Sequence, residues 1–245
     1  MSEVDSAVIL AAGRGARLKP YTDSVPKTLV PVCGKPILKY ILDALHSVGV
    51  RHFLIAAGYR ADDFKSIEVP PGCSKEIVVN HEWESSGSML SLNLCGEFLS
   101  RGCYIAEGDC CFDARLFENR DRATSKSLWY AHPFEKTDDG CTVWPDAEGR
   151  VGRFTVEKRG GASERPGAWK SCGVLRLSRK LGTSFHGWLK DALKAGRRDE
   201  CYDLILAGHL AEADIWLAQI GSAPWQEIDN AQDLERAEAL FGRAL

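Results

Sequence analysis

Two cations set at fixed distances behind a glycine-bearing loop are the residues with the most chemistry to offer. The apolar run Ala7-Val8-Ile9-Leu10-Ala11 reads as a short buried strand, and it empties into Ala12-Gly13-Arg14-Gly15-Ala16-Arg17. Small residues at Ala11, Ala12, Gly13 and Gly15 let backbone N–H groups approach an anion closely, and a concave run of such donors is an anion site. Arg17 and, past a proline-containing turn, Lys27 add positive charge aimed at the same place, so the cradle suits a triphosphate. A carboxylate is on hand as well. Asp109 stands just beyond the run Cys103-Tyr104-Ile105-Ala106-Glu107, and an aspartate at the end of a buried parallel strand is placed to hold Mg²⁺ beside the phosphates. Asp113 is the expected cap of the helical turn that follows.

Two familiar glycine loops do not fit. A dinucleotide fingerprint G-x-G-x-x-G needs glycine where Leu18 stands, and a P-loop needs Ser or Thr where Pro36 follows Gly34-Lys35. The pattern L-A-A-G-x-G-x-R-x-x-P-x-T…P-K-x-L…G-K-P does fit, through Leu10, Ala11, Ala12, Gly13, Gly15, Arg17, Pro20, Thr22, Pro26, Lys27, Leu29, Gly34, Lys35 and Pro36. In this the chain resembles the nucleotidyltransferases that load sugar phosphates or phosphocholine onto a nucleotide. Asn80 to Leu92, with Asn80, Trp83, Ser86, Ser91 and Leu92 at N-x-x-[YW]-x-x-[ST]-x-x-x-x-S-L spacing, resembles the phosphocholine and phosphonate cytidylyltransferase branch. Sugar-phosphate relatives usually carry a proline- and glycine-rich segment there.

The resemblance implies a set of roles. Leu10, Ala11, Ala12, Gly13, Arg14 and Gly15 would hold the nucleotide, with Arg17 and Lys27 as catalytic cations, and Asn80, Ser86, Gly87 and Ser88 would lie against the base. Trp225-Gln226-Glu227-Ile228-Asp229-Asn230 resembles the family segment that carries a second metal aspartate, which makes Asp229 the partner of Asp109 on Mg²⁺. CTP would be the nucleotide and a small phosphonate or phosphocholine the acceptor, whose oxygen attacks the α-phosphorus and expels pyrophosphate. The resemblance is dense over residues 7–110, returns at 225–234 and is thin between. Candidate acceptor contacts in the thin part are Lys158, at the end of Val156-Glu157-Lys158, with Trp144 and Tyr202; aromatic faces there suit an ammonium group better than a sugar. A sugar-1-phosphate nucleotidyltransferase and a non-catalytic nucleotide-binding regulator remain as alternatives, the latter marked by loss of Lys27 or either aspartate.

The elements that must position these residues alternate. Pro36 opens a helix through Leu45, a strand spans Arg51 to Ala57, a short helix lies near Ala61 to Lys65, and Glu76 to Asn80 reads as another strand. One helix is expected from about Ser88 to Leu99, capped by Ser86 or Ser88. Such alternation gives an α/β fold: a Rossmann-like, mixed but mainly parallel sheet flanked by helices, with ligands at the C-terminal strand ends. From Ser127 onward, short runs separated by Asp, Gly and Pro predict a smaller antiparallel substrate-binding portion. Asn230 is placed to cap a last amphipathic helix, which leaves Asp229 free. The reading is of one domain over 1–245, with a nucleotide-binding portion at 7–125, a substrate-binding portion at 126–224 and a C-terminal metal-site segment and helix at 225–245.

Composition narrows the class. With 245 residues, 44% of them hydrophobic, the chain can bury a full core, and a net charge of −3 argues against nucleic acid as a partner. Nine cysteines show no C-x-x-C and the six histidines no metal or triad spacing, so the thiols read as reduced core-fillers. No apolar run reaches the ~18 residues of a membrane helix, and the acidic N-terminal residues do not read as a signal peptide. The expectation is a cytoplasmic protein that does not engage membranes, with a homodimer as a possible assembly.

Overall fold

The computed structural model describes residues 4–117, 125–135, 138, 140–157 and 166–242. The chain starts with β1 (Ser6–Ala11), a small ribbon of β2 (Pro31–Val32) and β3 (Lys35–Pro36), then α1 (Ile37–Ser47), β4 (His52–Ala57) and β5 (Ser74–Val79). Two short helices, α2 (Ser88–Asn93) and α3 (Gly96–Arg101), precede β6 (Tyr104–Glu107) and β7 (Cys110–Phe112). The second part holds β8 (Ser127–Pro133), β9 (Gly140–Pro145), β10 (Val151–Glu157), β11 (Trp169–Arg176), α4 (Arg179–Lys194), α5 (Tyr202–Ala207), β12 (Ile215–Gln219), β13 (Trp225–Glu227) and α6 (Ala231–Phe241).

β1 lies inside the parallel set of strands because its residues are apolar on both faces, which lets helices cover it from either side. β4 and β6 flank it in parallel, and β5 continues the parallel set beyond β4. All four strands point the same way, so the segments leaving them collect at one edge. These are the glycine loop after β1, Gly58-Tyr59 after β4, Asn80 to Gly87 after β5 and Gly108-Asp109 after β6. One face carries α1, which buries Ile37, Leu38, Ile41, Leu42, Ala44 and Leu45 in the same core as Ile9 and Phe53. At roughly 1.5–3 kcal/mol for each large side chain, that stripe is what fixes the helix. The other face carries α2 to α5 over Val8, Leu54 and Ile105.

β11 joins the two parts. Its C-terminal half pairs antiparallel with β6, its N-terminal residues pair with β9, and its other edge pairs with β8. The register shifts between Ser171 and Leu175, where Gly173 adopts φ +66°; a Cβ there would lie 2.7 Å from Cys110 Sγ and 2.9 Å from Glu107 Oε2. The later part is largely antiparallel, as the sequence predicts, with one difference: β12 joins β8 in parallel; β8 to β12 share the nine-stranded sheet of the first part, and β13 pairs with β7 in a separate ribbon.

A single helix from Ser88 to Leu99 is not what forms. The chain breaks at Cys95 because α3 must lie close on α4: a Cβ on Gly96 would fall within 1.9 Å of His186, and one on Gly182 within 1.9 Å of the Leu99 carbonyl. Nor does Ser86 or Ser88 cap α2. Gly87 is the N-cap residue and no side chain caps it, since both hydroxyls are engaged elsewhere. Asp113 does accept the Arg115 N–H, and Asn230 caps α6 in a reciprocal box with Asp233.

Candidate active site

Gly15 is where the loop needs glycine. Its φ is +74°, and a Cβ would sit 2.8–3.0 Å from Cβ, Cγ and Cδ of Lys27, so the lysine stem lies flat on the loop. The Lys27 side chain is only 11% exposed, and its Nζ donates to Asp109 Oδ2 and to Asp229 Oδ1, each at 2.8 Å. Arg17 reaches the same Asp229 oxygen at 2.8 Å. Residues 17, 27, 109 and 229 thus meet at one point. Burial alone would lower the Lys27 pKa, but the two carboxylates outweigh it and hold the ammonium above the ordinary lysine value. Burial works against the Asp109 charge in the same way, and Lys27 overcomes it and holds that carboxyl below its usual range.

Each carboxylate is set in place by its own backbone. Gly108 donates to the Leu10 carbonyl at 2.9 Å and has no room for a Cβ, which would be 2.5 Å from Thr28 Oγ1; Asp109 is therefore turned in beside the loop. The Asp109 carbonyl accepts the Ile228 N–H, and Asp233 Oδ2 accepts the N–H groups of Asp229 and Asn230 at 3.0 and 3.2 Å. The donor set fits a hard divalent cation. Two aspartate carboxylates already share one positive charge, that of Lys27, and oxygen ligands are what Mg²⁺ takes. Glu107 and Cys110 lie within 4.8 Å of Asp109, but burial raises the Cys110 thiol well above its ordinary pKa and keeps it protonated, so it is no Mg²⁺ ligand.

Beside this cluster is a cavity of about 180 Å³ lined from the loop by Leu10, Ala12 and Gly13 and from the segment after β5 by Asn80, Ser86, Gly87 and Ser88. Trp83 and Ser91 complete it. Asn80 is buried, with its amide donating to Ser86 Oγ and Ser91 Oγ at 2.9 and 3.0 Å and its oxygen accepting the Glu82 N–H; it holds the wall in shape. Gly87 is pressed against the Glu200 carbonyl, where a Cβ would come within 1.9 Å, and Ser88 Oγ accepts the Tyr202 N–H at 3.1 Å. Ala11, Arg14 and Gly15 do not line it: Ala11 is buried at the end of β1, and Arg14 turns to Asp23 and the Tyr59 ring.

A row of buried polar groups runs from Asp109 into the later part of the sheet. Tyr202 OH donates to Glu107 Oε1 at 2.8 Å, Cys141 Sγ donates to Asp203 Oδ2 at 2.8 Å, and Lys170 Nζ donates to Glu227 Oε2 at 2.8 Å. Burial, reinforced by Asp109, Asp203 and Glu227, pushes the Glu107 carboxyl up to about 8. Tyr202 therefore joins the site through Glu107. Trp144 is not among the residues that line the narrow cavity; the Arg153 guanidinium lies 4.4 Å from its ring centre. Lys158 lies outside the described residues. Lys170, with 5% of its side chain exposed, is the lysine this region brings to the site; motif reading singled out neither it nor Glu107, and gave no role to Glu227 or Asp233, which stand within the 225–234 stretch that carries Asp229. A charge inside an otherwise apolar run was the available signal for Glu107 and Lys170.

Residues 7–128 match the MobA-like NTP transferase domain. Over this half the chain is a MobA-like NTP transferase. By family, then, it is a nucleotidyltransferase. It is 29% identical over 241 residues to the CMP-5'-(3-aminopropyl)phosphonate synthase of Streptomyces rubellomurinus, covering 96% of this chain but 38% of that longer protein. It is 25% identical over 236 residues to the choline-phosphate cytidylyltransferase of Streptococcus pneumoniae, covering 96% of this chain and 97% of that one. The solved CTP:phosphocholine cytidylyltransferase of Streptococcus pneumoniae superposes with a TM-score of 0.80 at 22% identity, over 97% of this chain and all of that one, so this MobA-like transferase has that fold throughout. Among the described residues no helix is long and apolar enough to cross a membrane.

Proposed function

We propose that this chain transfers CMP from CTP to a small phosphonate, of the 2-aminoethylphosphonate or 2-hydroxyethylphosphonate kind, or to phosphocholine, and releases pyrophosphate. The observation that carries the reading is Lys27 clamped between Asp109 and Asp229 against the glycine loop, with Arg17 on the same aspartate and a narrow cavity alongside. An acceptor oxygen forms a bond to the α-phosphorus while the bond to the β-phosphate oxygen breaks and pyrophosphate leaves. A phosphonate or phosphate oxygen is already anionic, so no general base is required. What must be overcome is the approach of two anions, which alignment and fixed positive charge achieve. Mg²⁺ held by Asp109 and Asp229 would neutralise triphosphate charge at that point. Lys27 and Arg17 supply further cations from the protein, and the loop N–H groups orient the phosphates.

The cavity beside Leu10 and Ser86 supports a pyrimidine, because its narrow walls suit a single ring and its polar rim can tell a 4-amino from a 4-oxo group. The Tyr202 hydroxyl on Glu107 sets an aromatic ring beside a carboxyl group, which supports an acceptor that carries an ammonium group. A pyrophosphate-release screen of the four nucleoside triphosphates against 2-aminoethylphosphonate, 2-hydroxyethylphosphonate, phosphocholine and glucose 1-phosphate tests the reading. Fastest turnover is expected with CTP and one of the first three. Fastest turnover with glucose 1-phosphate, or equal rates with ATP or GTP, would sink it.

A further inference from the structure

One residue touches both ends of the glycine loop and the wall of the narrow cavity, the first end through its backbone and the rest through its side chain. Tyr59, just past β4, donates its N–H to the Ala12 carbonyl at 2.9 Å, where the loop begins. Its hydroxyl proton is shared between the carbonyls of Asp23 and Thr22, at 3.2 and 3.4 Å, where the loop ends. The ring meets Trp83 edge-on with centroids 5.5 Å apart, and the Arg14 guanidinium from the crest of the loop lies 5.3 Å from its centre. Gly58 makes this approach possible, since a Cβ there would be 2.5 Å from Trp83 Cβ and 2.6 Å from the Ala12 carbonyl. From Thr22 the contacts continue: its buried hydroxyl donates to the Gly15 carbonyl at 2.9 Å, and Gly15 is the residue on which the Lys27 stem rests. A continuous path thus runs from the cavity wall at Trp83 to the lysine between the two aspartates.

We infer that Tyr59 is a positioning residue that couples occupation of the narrow cavity by the base to the placement of the glycine loop and of Lys27. The inference rests on the reading that the base seats against Trp83. A base packed there restricts the indole, the indole restricts the Tyr59 ring, and the ring's hydroxyl and the residue's backbone N–H set the two ends of the loop. The loop between them is built of short turns without a ladder of its own, so its order depends on such outside tethers. A well-fitting base would then act on turnover as well as on binding.

Tyr59→Phe tests this, because it keeps the ring contacts and the N–H while removing the hydroxyl that holds residues 22 and 23. Turnover with CTP is expected to fall about 10- to 100-fold, the scale of a small misplacement of catalytic groups. The KM for the acceptor should change less than about twofold, and the CTP-over-UTP ratio in kcat should narrow. Unchanged kcat, or a lower kcat with the same base ratio, would overturn the coupling and leave Tyr59 as packing. Hydrogen exchange with cytidine, which has no phosphates, provides a second reading. In the wild type cytidine should slow exchange both at residues 80–91 and at residues 13–23, and in Tyr59→Phe only at 80–91. Protection confined to 80–91 in the wild type overturns the coupling while leaving the base site standing; protection at neither segment overturns the base site and the inference with it.

Discussion

Lys27 is held by two carboxylates that, in the function proposed above, would also hold a metal, and this competition would define its role. Without Lys27, Asp109 and Asp229 would face each other across a partly buried site, with the largely exposed Arg17 on Asp229 and the more remote Lys170 to balance them. Lys27→Ala is expected to lower kcat by about two to four orders of magnitude, since it removes charge directed at the reacting phosphate from a loop position and not from the hydrophobic core. Steady-state assay of protein with native circular dichroism checks it, and near-normal turnover would show that the lysine merely staples the aspartates. Glu107 gives a pH prediction. Its carboxyl is raised from 4.5 to about 8, so the folded chain binds that proton more tightly than the unfolded chain does. The contribution to stability is therefore full below about 4.5 and is lost as pH rises through about 8. In chelator, the wild-type Tm should fall between pH 5 and 8.5 by roughly 3 °C or more beyond the fall seen in Glu107→Gln, a gap on the scale of about 1 kcal/mol. Parallel curves would mean that Glu107 is solvated. The first lesson about legibility belongs to these residues. Lys27 and Asp109 could be marked in the sequence because motif and strand end coincide, whereas Lys170 looks like any lysine until β11 carries it under Glu227.

Elements decide how well the marked residues are aimed. The parallel core was legible because β1, β4, β5 and β6 are short apolar runs closed by glycine or a polar turn, and because α1 has an unbroken apolar stripe. The break between α2 and α3 was not, for it answers to the close approach of α4 at Gly96 and Gly182, a long-range demand that local periodicity does not carry. Ser86 and Ser88 misled for a related reason: a serine before a helix reads as a cap, but these two serve Asn80 and Tyr202. The α6 terminus is the opposite case, a local signal with a remote use. Its box fixes Asp229 through Asp233, whose carboxylate takes the two N–H groups at the turn. Asp233→Ala should cost about 1 kcal/mol through the lost box, or about 2–4 °C in Tm, and should also raise the Mg²⁺ concentration for half-maximal turnover 10- to 100-fold. A Mg²⁺ titration that superposes on the wild type would confine Asp233 to capping.

At the scale of the whole molecule, the narrow cavity, the glycine loop and Asp109 gather at one end of the nine-stranded sheet while Asp229 follows the separate ribbon of β7 and β13, so a nucleotide that bridges them should tighten the entire fold. CTP with Mg²⁺ at about a hundred times its Kd should add about 2.7 kcal/mol, a rise in Tm of about 5–10 °C, and GTP at the same concentration should add far less. Differential scanning fluorimetry reads this directly, and equal shifts would place the base outside the selective site.

The branching of β11 has a consequence for how the chain is made. β6 offers one edge to β1, only a few dozen residues behind β4, but its other edge is closed by residues 174–176, which leave the ribosome long after it. Until then the half that matches the nucleotide-transferring family has an open, apolar strand at its border, the kind of edge that pairs with a neighbour. A fragment ended near residue 128 should therefore aggregate although it holds the glycine loop, Lys27 and Asp109, and the late strand serves as the nascent protein's safeguard against its own siblings.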